Sequence, residues 1–273
     1  MTITARALIG TAAGRFPPAT PRLDAELLMA HALGIERSTL LLDLNRPIPP
    51  ATRATFAALA DRRAAHEPVA YLTGTRGFWT IDLAVGPGVL IPRADSETLI
   101  EAAVAHFAGT PGPGRVIDLG TGSGALLLAA LDQWPGATGV GLDASDAALR
   151  IARANADRLA PTRATIAPGG WEGTGEAFDL VLCNPPYIAD NADLPREVAD
   201  YEPASALFAG PDGLDDYRRI APILRSQLAP GGVACIEIGH DQGETAAALF
   251  RAESFAVGVR RDLGGNSRVL VVT

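Results

Sequence analysis

From Arg115 onward the chain alternates short apolar runs with longer amphipathic ones, and no other feature restricts its fold as much. RVIDLG (115–120), GVGLD (139–143), ATIAP (164–168), FDLVLC (178–183) and GGVACIEIG (231–239) read as strands. Helix patterns cover 123–133, 145–159, 212–228 and 241–251. Such alternation calls for a mostly parallel sheet with helices on both faces. FAVGVRRD and SRVLVVT, separated by LGGN, then predict an antiparallel pair finishing the sheet, one strand more than a simple doubly wound fold requires.

The residues before this region divide in two. Over 1–67 the pattern is helical: Leu23, Leu27, Leu28, Ala30 and Leu33 form an apolar stripe, with Thr20 and Pro21 as N-cap and N1 and Gly34 as the stop. A second helix, about 51–66, carries Phe56, Leu59 and Ala60 on one side and Arg62 and Arg63 on another. This predicts a small all-α domain. Residues 68–93 break into short alternating pieces punctuated by Gly74, Gly77, Gly86 and Gly88, which predicts a β-hairpin linker anchored by Phe78 and Trp79. The third domain is expected over 94–273, beginning with a helix from Asp95 to Phe107.

Charge narrows the partners. The 273 residues carry 31 acidic against 23 basic side chains, a net charge of −8, and every basic residue is arginine. That balance disfavours extended nucleic-acid contacts. No run approaches the ~20 apolar residues that span a bilayer, and MTITARALIG lacks a signal peptide's apolar segment. A cytoplasmic protein without membrane contact is expected. Cys183 and Cys235 lie in strand-like runs and read as buried thiols, and the four histidines have no metal-ligand spacing, so no metal site is expected.

The first strand of the alternating region runs into Gly120-Thr121-Gly122-Ser123-Gly124 and then an apolar helix. Glycines there allow a sharp turn and let a ligand lie against bare backbone. The spacing is GxGxG, not the GxGxxG that faces a pyrophosphate, which argues against a nicotinamide dehydrogenase. Asp143 ends the second strand, placed to accept hydrogen bonds from both hydroxyls of a ribose or, as the alternative, to cap the helix that follows. With Asp118 the loop forms DxGxGxG followed by an acidic strand end. This resembles class I S-adenosylmethionine-dependent methyltransferases, and implies their Rossmann-like, seven-stranded α/β sheet with an antiparallel last strand.

The fourth strand ends abruptly in Asn184-Pro185-Pro186-Tyr187. Two prolines remove two donors and stiffen a loop at the carboxyl edge of the sheet, where open α/β sheets bind ligands. The motif resembles amino-group methyltransferases acting on planar nitrogens, either adenine N6 or the glutamine side-chain amide. Both acceptors have a delocalised, weakly nucleophilic lone pair. The Asn184 side-chain oxygen and the Pro185 carbonyl can each accept one N–H of such a group, while Tyr187 packs on its plane.

Longer segments choose between them. EPVAYLTGTRGFWTIDLAVGPGVLIPRADSETLIE (67–101), YEPASALFAGPDGLDDYRRI (201–220), IEIGHDQGE (236–244) and DLGGNSRVL (262–270) resemble the release factor glutamine methyltransferases. The resemblance implies N5-methylation of the glutamine in the Gly-Gly-Gln motif of class-1 peptide chain release factors, with S-adenosylhomocysteine as coproduct, no metal and no direct nucleic-acid partner. It assigns Gly120, Thr121, Gly122, Ser123, Gly124, Asp143, Trp171 and Asn184 to the cofactor and Asn184, Pro185, Pro186 and Tyr187 to the glutamine, with Asn184, Pro185 and Tyr187 as the catalytic set. The helical domain would dock the release factor. Gly170 stands where such enzymes often have an aspartate, and PRADSE (92–97) replaces PRPETE. Arg93 and Glu97, four apart, suggest an ion pair at a helix start. The rivals are an adenine-N6 methyltransferase, for which no basic and aromatic recognition region is visible, and a noncatalytic S-adenosylmethionine-binding adaptor, which has no need of paired acceptors.

Overall fold

The computed structural model describes residues 3–273. They form two compact units, one made of the residues through Thr75 with Leu194–Tyr201, the other of Arg76–Asp193 with Glu202–Thr273.

The first unit is helical: α1 (Ala5–Ala13), α2 (Pro21–Leu33), α3 (Arg37–Leu42), α4 (Pro50–Ala64) and α5 (Val69–Thr73). Its core gathers Ile9, Leu28, Met29, Leu40 and Phe56. Helix α2 starts at Pro21 and stops at left-handed Gly34, but Thr20 does not cap it, since its hydroxyl donates to Asp24 Oδ1 at 2.8 Å. The buried face is also turned from the expected stripe, with Leu23 exposed and Asp24 and Glu26 buried. Ion pairs explain the turn. Glu26 meets Arg22 and Arg37, and Asp24 meets Arg63 at 2.8 Å. Helical periodicity puts Arg63 on the open side of its helix; instead it is buried, bonded also to Glu197 at 2.9 Å. Two carboxylates are what a buried guanidinium needs.

In the second unit, β1 (Thr75–Phe78) and β2 (Ile81–Ala84) pair as a two-stranded sheet, followed by α6 (Glu97–His106). The hairpin is shorter than the sequence suggests because Val69–Thr73 coils into α5. Phe78 is buried as anticipated, whereas Trp79 is half-buried at a positive φ of 55° in the turn. Then follow β3 (Arg115–Leu119), α7 (Ala125–Gln133), β4 (Thr138–Asp143), α8 (Asp146–Leu159), β5 (Ala164–Pro168) and β6 (Phe178–Cys183). The short α9 (Arg196–Ala199) falls in the segment that joins the helical unit. Next come α10 (Asp215–Ile220), β7 (Leu228–Glu237), α11 (Gly243–Ala252), β8 (Val257–Arg261) and β9 (Ser267–Val272). The helix expected over 212–228 is broken: Pro222, which has no N–H and crowds the preceding turn, separates α10 from a 3-10 turn at Leu224–Gln227.

The seven strands lie in the order β5-β4-β3-β6-β7-β9-β8. All neighbouring pairs are parallel except those made by β9, which runs antiparallel between β7 and β8. Cys183 and Cys235 are both buried free thiols, as their runs implied. Burial pushes the Cys235 thiol up to about 12 and that of Cys183 well above its usual value.

Candidate active site

Strand register fixes where the site forms. Leu119 at the end of β3 lies beside Leu142 of β4 and Cys183 of β6, so the glycine loop, Asp143 and Asn184 emerge together at one edge of the sheet. A cavity of about 410 Å³ opens there. This is within the ~300–1,000 Å³ usual for small-molecule sites. Of the residues singled out from the sequence, Gly120, Thr121, Gly122, Ser123, Asp143, Trp171, Asn184 and Pro186 line it. Gly124, Pro185 and Tyr187 do not.

Each of these positions has a local cause. Gly120 takes φ +71°, and a Cβ there would sit 3.1–3.2 Å from the Trp171 ring, so bare backbone is what lets the indole close over the loop. Gly124, at φ +85°, caps α7 instead; a Cβ would press on Leu128 at 3.1 Å. Asp143 is not the cap of α8. Ser145 fills that position, accepting from the Ala148 N–H, while Asp143 Oδ2 accepts from the Gly122 N–H at 2.9 Å and Oδ1 from the Ser145 N–H at 2.8 Å. The carboxylate therefore ties the glycine loop to the start of α8 and keeps further lone pairs on both oxygens. Asp118 lies behind the loop, its Oδ2 accepting from the Thr121 hydroxyl at 2.6 Å; burial pushes its carboxyl up to about 7, partly offset by that bond.

Trp171 is held from two sides. Its indole N–H donates to Asp216 Oδ1 at 3.0 Å, and its carbonyl accepts from Gln227 Nε2 at 2.7 Å. Asp216 also takes Arg219 at 3.1 Å, and both Asp216 and Arg219 line the cavity beside Gly170. Asn155 ties the far wall, donating to Ser123 O and Ala84 O and accepting from the Ala84 N–H, which joins the hairpin to the glycine loop. None of Asp216, Gln227 and Asn155 stands out in the sequence, because each acts on a residue at least 32 positions away. The Arg93–Glu97 pair does not form. Arg93 binds Glu202, itself buried, at 2.5 Å, and Glu97 accepts the Trp79 N–H at 2.9 Å. Glu202 also accepts the Ile91 N–H, so it offers Arg93 a fixed carboxylate where Glu97 is already engaged.

At the Asn-Pro-Pro-Tyr turn, Asn184 Nδ2 donates to Ser96 Oγ at 3.3 Å and the Tyr187 hydroxyl donates to Glu237 Oε1 at 3.1 Å. Asn184 Oδ1 is buried and has no hydrogen-bond partner among the described residues. Four other buried side-chain atoms share that condition, on Trp79, Asp118, Gln227 and Glu237, but none of these residues lines the cavity. A stranded amide acceptor costs about 1–3 kcal/mol. A ligand donor would relieve it. Among the described residues no group of three His, Cys, Asp or Glu is placed to hold a metal, and no helix is long and apolar enough to cross a membrane.

The strand order with its single antiparallel β9, the glycine loop and the carboxylate ending β4 define an S-adenosylmethionine-dependent methyltransferase of class I. The fold is shared with a methyltransferase from Pyrococcus furiosus, 15% identical with a TM-score of 0.53 over 79% of this chain and 96% of that one. Residues 8–74 match the PrmC N-terminal domain and residues 95–200 the methyltransferase small domain. Release factor glutamine methyltransferases from Rhodospirillum rubrum and Caulobacter vibrioides are 43% and 42% identical to the chain over 92% of its length, and it covers 78% and 89% of theirs. The chain belongs to the release factor glutamine methyltransferase family.

Proposed function

We propose that the protein methylates the side-chain amide nitrogen of the glutamine in the Gly-Gly-Gln motif of class-1 peptide chain release factors. The observation that carries this reading is the buried, unpartnered Asn184 Oδ1 at the wall of the cavity. An amide NH₂ is the donor that would satisfy it, and family membership supports glutamine as the source of that NH₂.

The residues present fit S-adenosylmethionine. The backbone of Gly120 to Ser123 would lie against it, Asp143 would accept from its ribose, and Trp171, packed over Gly120, would face its adenine. When bound, this cofactor supplies an electrophilic methyl on a sulfonium sulfur. The chain's own task is to present a poor nucleophile correctly. Asn184 Oδ1 and the Pro185 carbonyl would each accept one N–H of the acceptor, aiming the nitrogen and stabilising positive charge as it develops there. Pro185 and Pro186 keep the turn from relaxing, since their φ angles are fixed by the ring. Tyr187, held by Glu237, would pack on the planar amide. We assign release factor docking to residues 1–67, the linker to 68–93 and catalysis to 94–273.

The test is methyl transfer from labelled cofactor to a purified release factor. One methyl per chain is expected, and none on a factor whose Gly-Gly-Gln glutamine is replaced. Equal labelling of the replaced factor, or preferential labelling of DNA or RNA, would overturn the reading.

A further inference from the structure

Among the described residues two carboxylates line the cavity, Asp143 and Asp216. Asp143 has a backbone N–H on each oxygen and is assigned above to the ribose. Asp216 is bonded differently. Its side chain is only 9% exposed, and both of its bonds fall on one oxygen, since Oδ1 accepts from the Trp171 indole N–H at 3.0 Å and from Arg219 at 3.1 Å. Oδ2 accepts from none of the described residues, yet it is not among the unpartnered atoms sealed from solvent, so it is reachable from the cavity that Asp216 lines.

The surrounding structure holds this carboxylate still. Asp216 lies in α10, and its neighbour Tyr217 is fully buried and donates to the Glu237 carbonyl at 3.0 Å, which pins the helix to the sheet. Trp171 is fixed in turn through its own carbonyl by Gln227 Nε2. No side chain competes from the backbone beside the indole: Gly170 has none, and Glu172 folds back so that a Cβ at 170 would stand 2.7 Å from its Oε2. Indole and carboxylate thus form one wall with a free acceptor at its edge.

We propose that Asp216 selects the base of the cofactor: with Oδ1 holding the Trp171 indole, Oδ2 accepts a hydrogen bond from the exocyclic amino group of the adenine. This rests on the reading that the adenine faces Trp171. A carboxylate paired with an arginine can only accept. It therefore suits an amino group and opposes a 6-oxo base, whose oxygen would meet Oδ2 with like polarity. Asparagine at this position reverses the preference. Trp171 and Arg219 are both donors, so they keep the amide oxygen where Oδ1 stands and turn the NH₂ to the cavity, where it opposes an amino group and suits an oxo group.

The test is the calorimetric affinity of the full chain for S-adenosylhomocysteine and for S-inosylhomocysteine, in which oxygen replaces that amino group. Wild type should hold the adenosyl compound at least about 30-fold more tightly, the discrimination expected of a hydrogen bond to a charged acceptor. In Asp216→Asn this ratio should fall by at least about tenfold, through weaker adenosyl and stronger inosyl binding, a coupling that isolates the contact from any effect on folding. The indole N–H resonance of Trp171, identified by its loss in Trp171→Phe, should persist in the variant because the amide oxygen still accepts it. Loss of both affinities by the same factor, or an unchanged ratio, would overturn the inference and leave Asp216 as a prop for Trp171. Wild type also supplies an arm that needs no variant. The analogue whose purine carries hydrogen in place of the amino group should bind at least about tenfold more weakly than the adenosyl compound, and equal affinity would refute the contact. A Trp171→Ala variant that binds S-adenosylhomocysteine as wild type does would instead strike at the parent reading, that the adenine faces this indole.

Discussion

Replacing Asn184 by alanine should separate catalysis from folding, because the side chain does little for stability where it stands. Its Nδ2 makes one long hydrogen bond, 3.3 Å to Ser96. Its loss is worth about 1 kcal/mol, and Ser96 can still donate elsewhere. Against this, Asn184→Ala removes the buried Oδ1 that has no partner, relieving a desolvation cost of about 1–3 kcal/mol. The two nearly offset. A net change within about 1 kcal/mol moves Tm of a protein this large by no more than ~4 °C. Catalysis should respond quite differently. Deleting one preorganised group that stabilises developing charge costs ~10²–10³ in turnover, about 2.7–4 kcal/mol of barrier. The assay is initial-rate methyl transfer from labelled cofactor to a release factor, with a thermal melt and calorimetric cofactor affinity on the same preparation. Turnover within threefold of wild type would refute the role given to Oδ1. A Tm drop beyond about 10 °C would refute the claim that the acceptor is stranded in the ligand-free protein.

Gly120→Ala must place a Cβ in the left-handed region and 3.1–3.2 Å from the Trp171 ring, so cofactor affinity by calorimetry should fall at least tenfold; wild-type affinity would show that the indole does not need this approach. Arg63→Ala leaves Asp24 buried without its partner. Loss of one member of a buried pair costs about 3–5 kcal/mol, to be read by denaturant unfolding of the full chain. The pH dependence of stability also has a definite sign. Burial raises the Glu237 carboxyl from 4.5 to about 7, so the native state holds a proton that the unfolded chain releases, and Glu237's contribution to stability declines as pH rises from below 4.5 through 7. The decline is of order 3 kcal/mol, and the gap between wild type and Glu237→Gln in denaturant midpoint should widen in favour of the variant over that range. A gap that does not change with pH would contradict the burial argument.

Features carried by a few consecutive residues are legible in the chain itself. The glycine loop, the acidic end of β4 and the Asn-Pro-Pro-Tyr turn each declare themselves locally, since glycine permits turns that other residues resist and proline fixes its own φ. The strand alternation, taken with the carboxyl-edge rule, also brings these pieces to one side of one sheet. Segments of helical period are less secure. Val69–Thr73 reads as strand-like but coils, and 212–228 reads as one helix although Pro222 divides it. The buried face of α2 escapes because Asp24 and Glu26 are drawn inward by arginines that helical periodicity does not register.

Sequence alone thus determined the class of sheet, the backbone of the cofactor loop and the stiff turn beside it. Tertiary structure decided the partners. Glu202 rather than Glu97 meets Arg93, Asp216 holds the Trp171 indole, Asn155 joins the hairpin to the glycine loop, and Ser96 and Glu237 stand behind Asn184. The reason is that a side-chain hydrogen bond has a reach of about 3 Å in space and none along the chain. Only the folded sheet could show that Asn184 ends its strand beside a buried carboxylate.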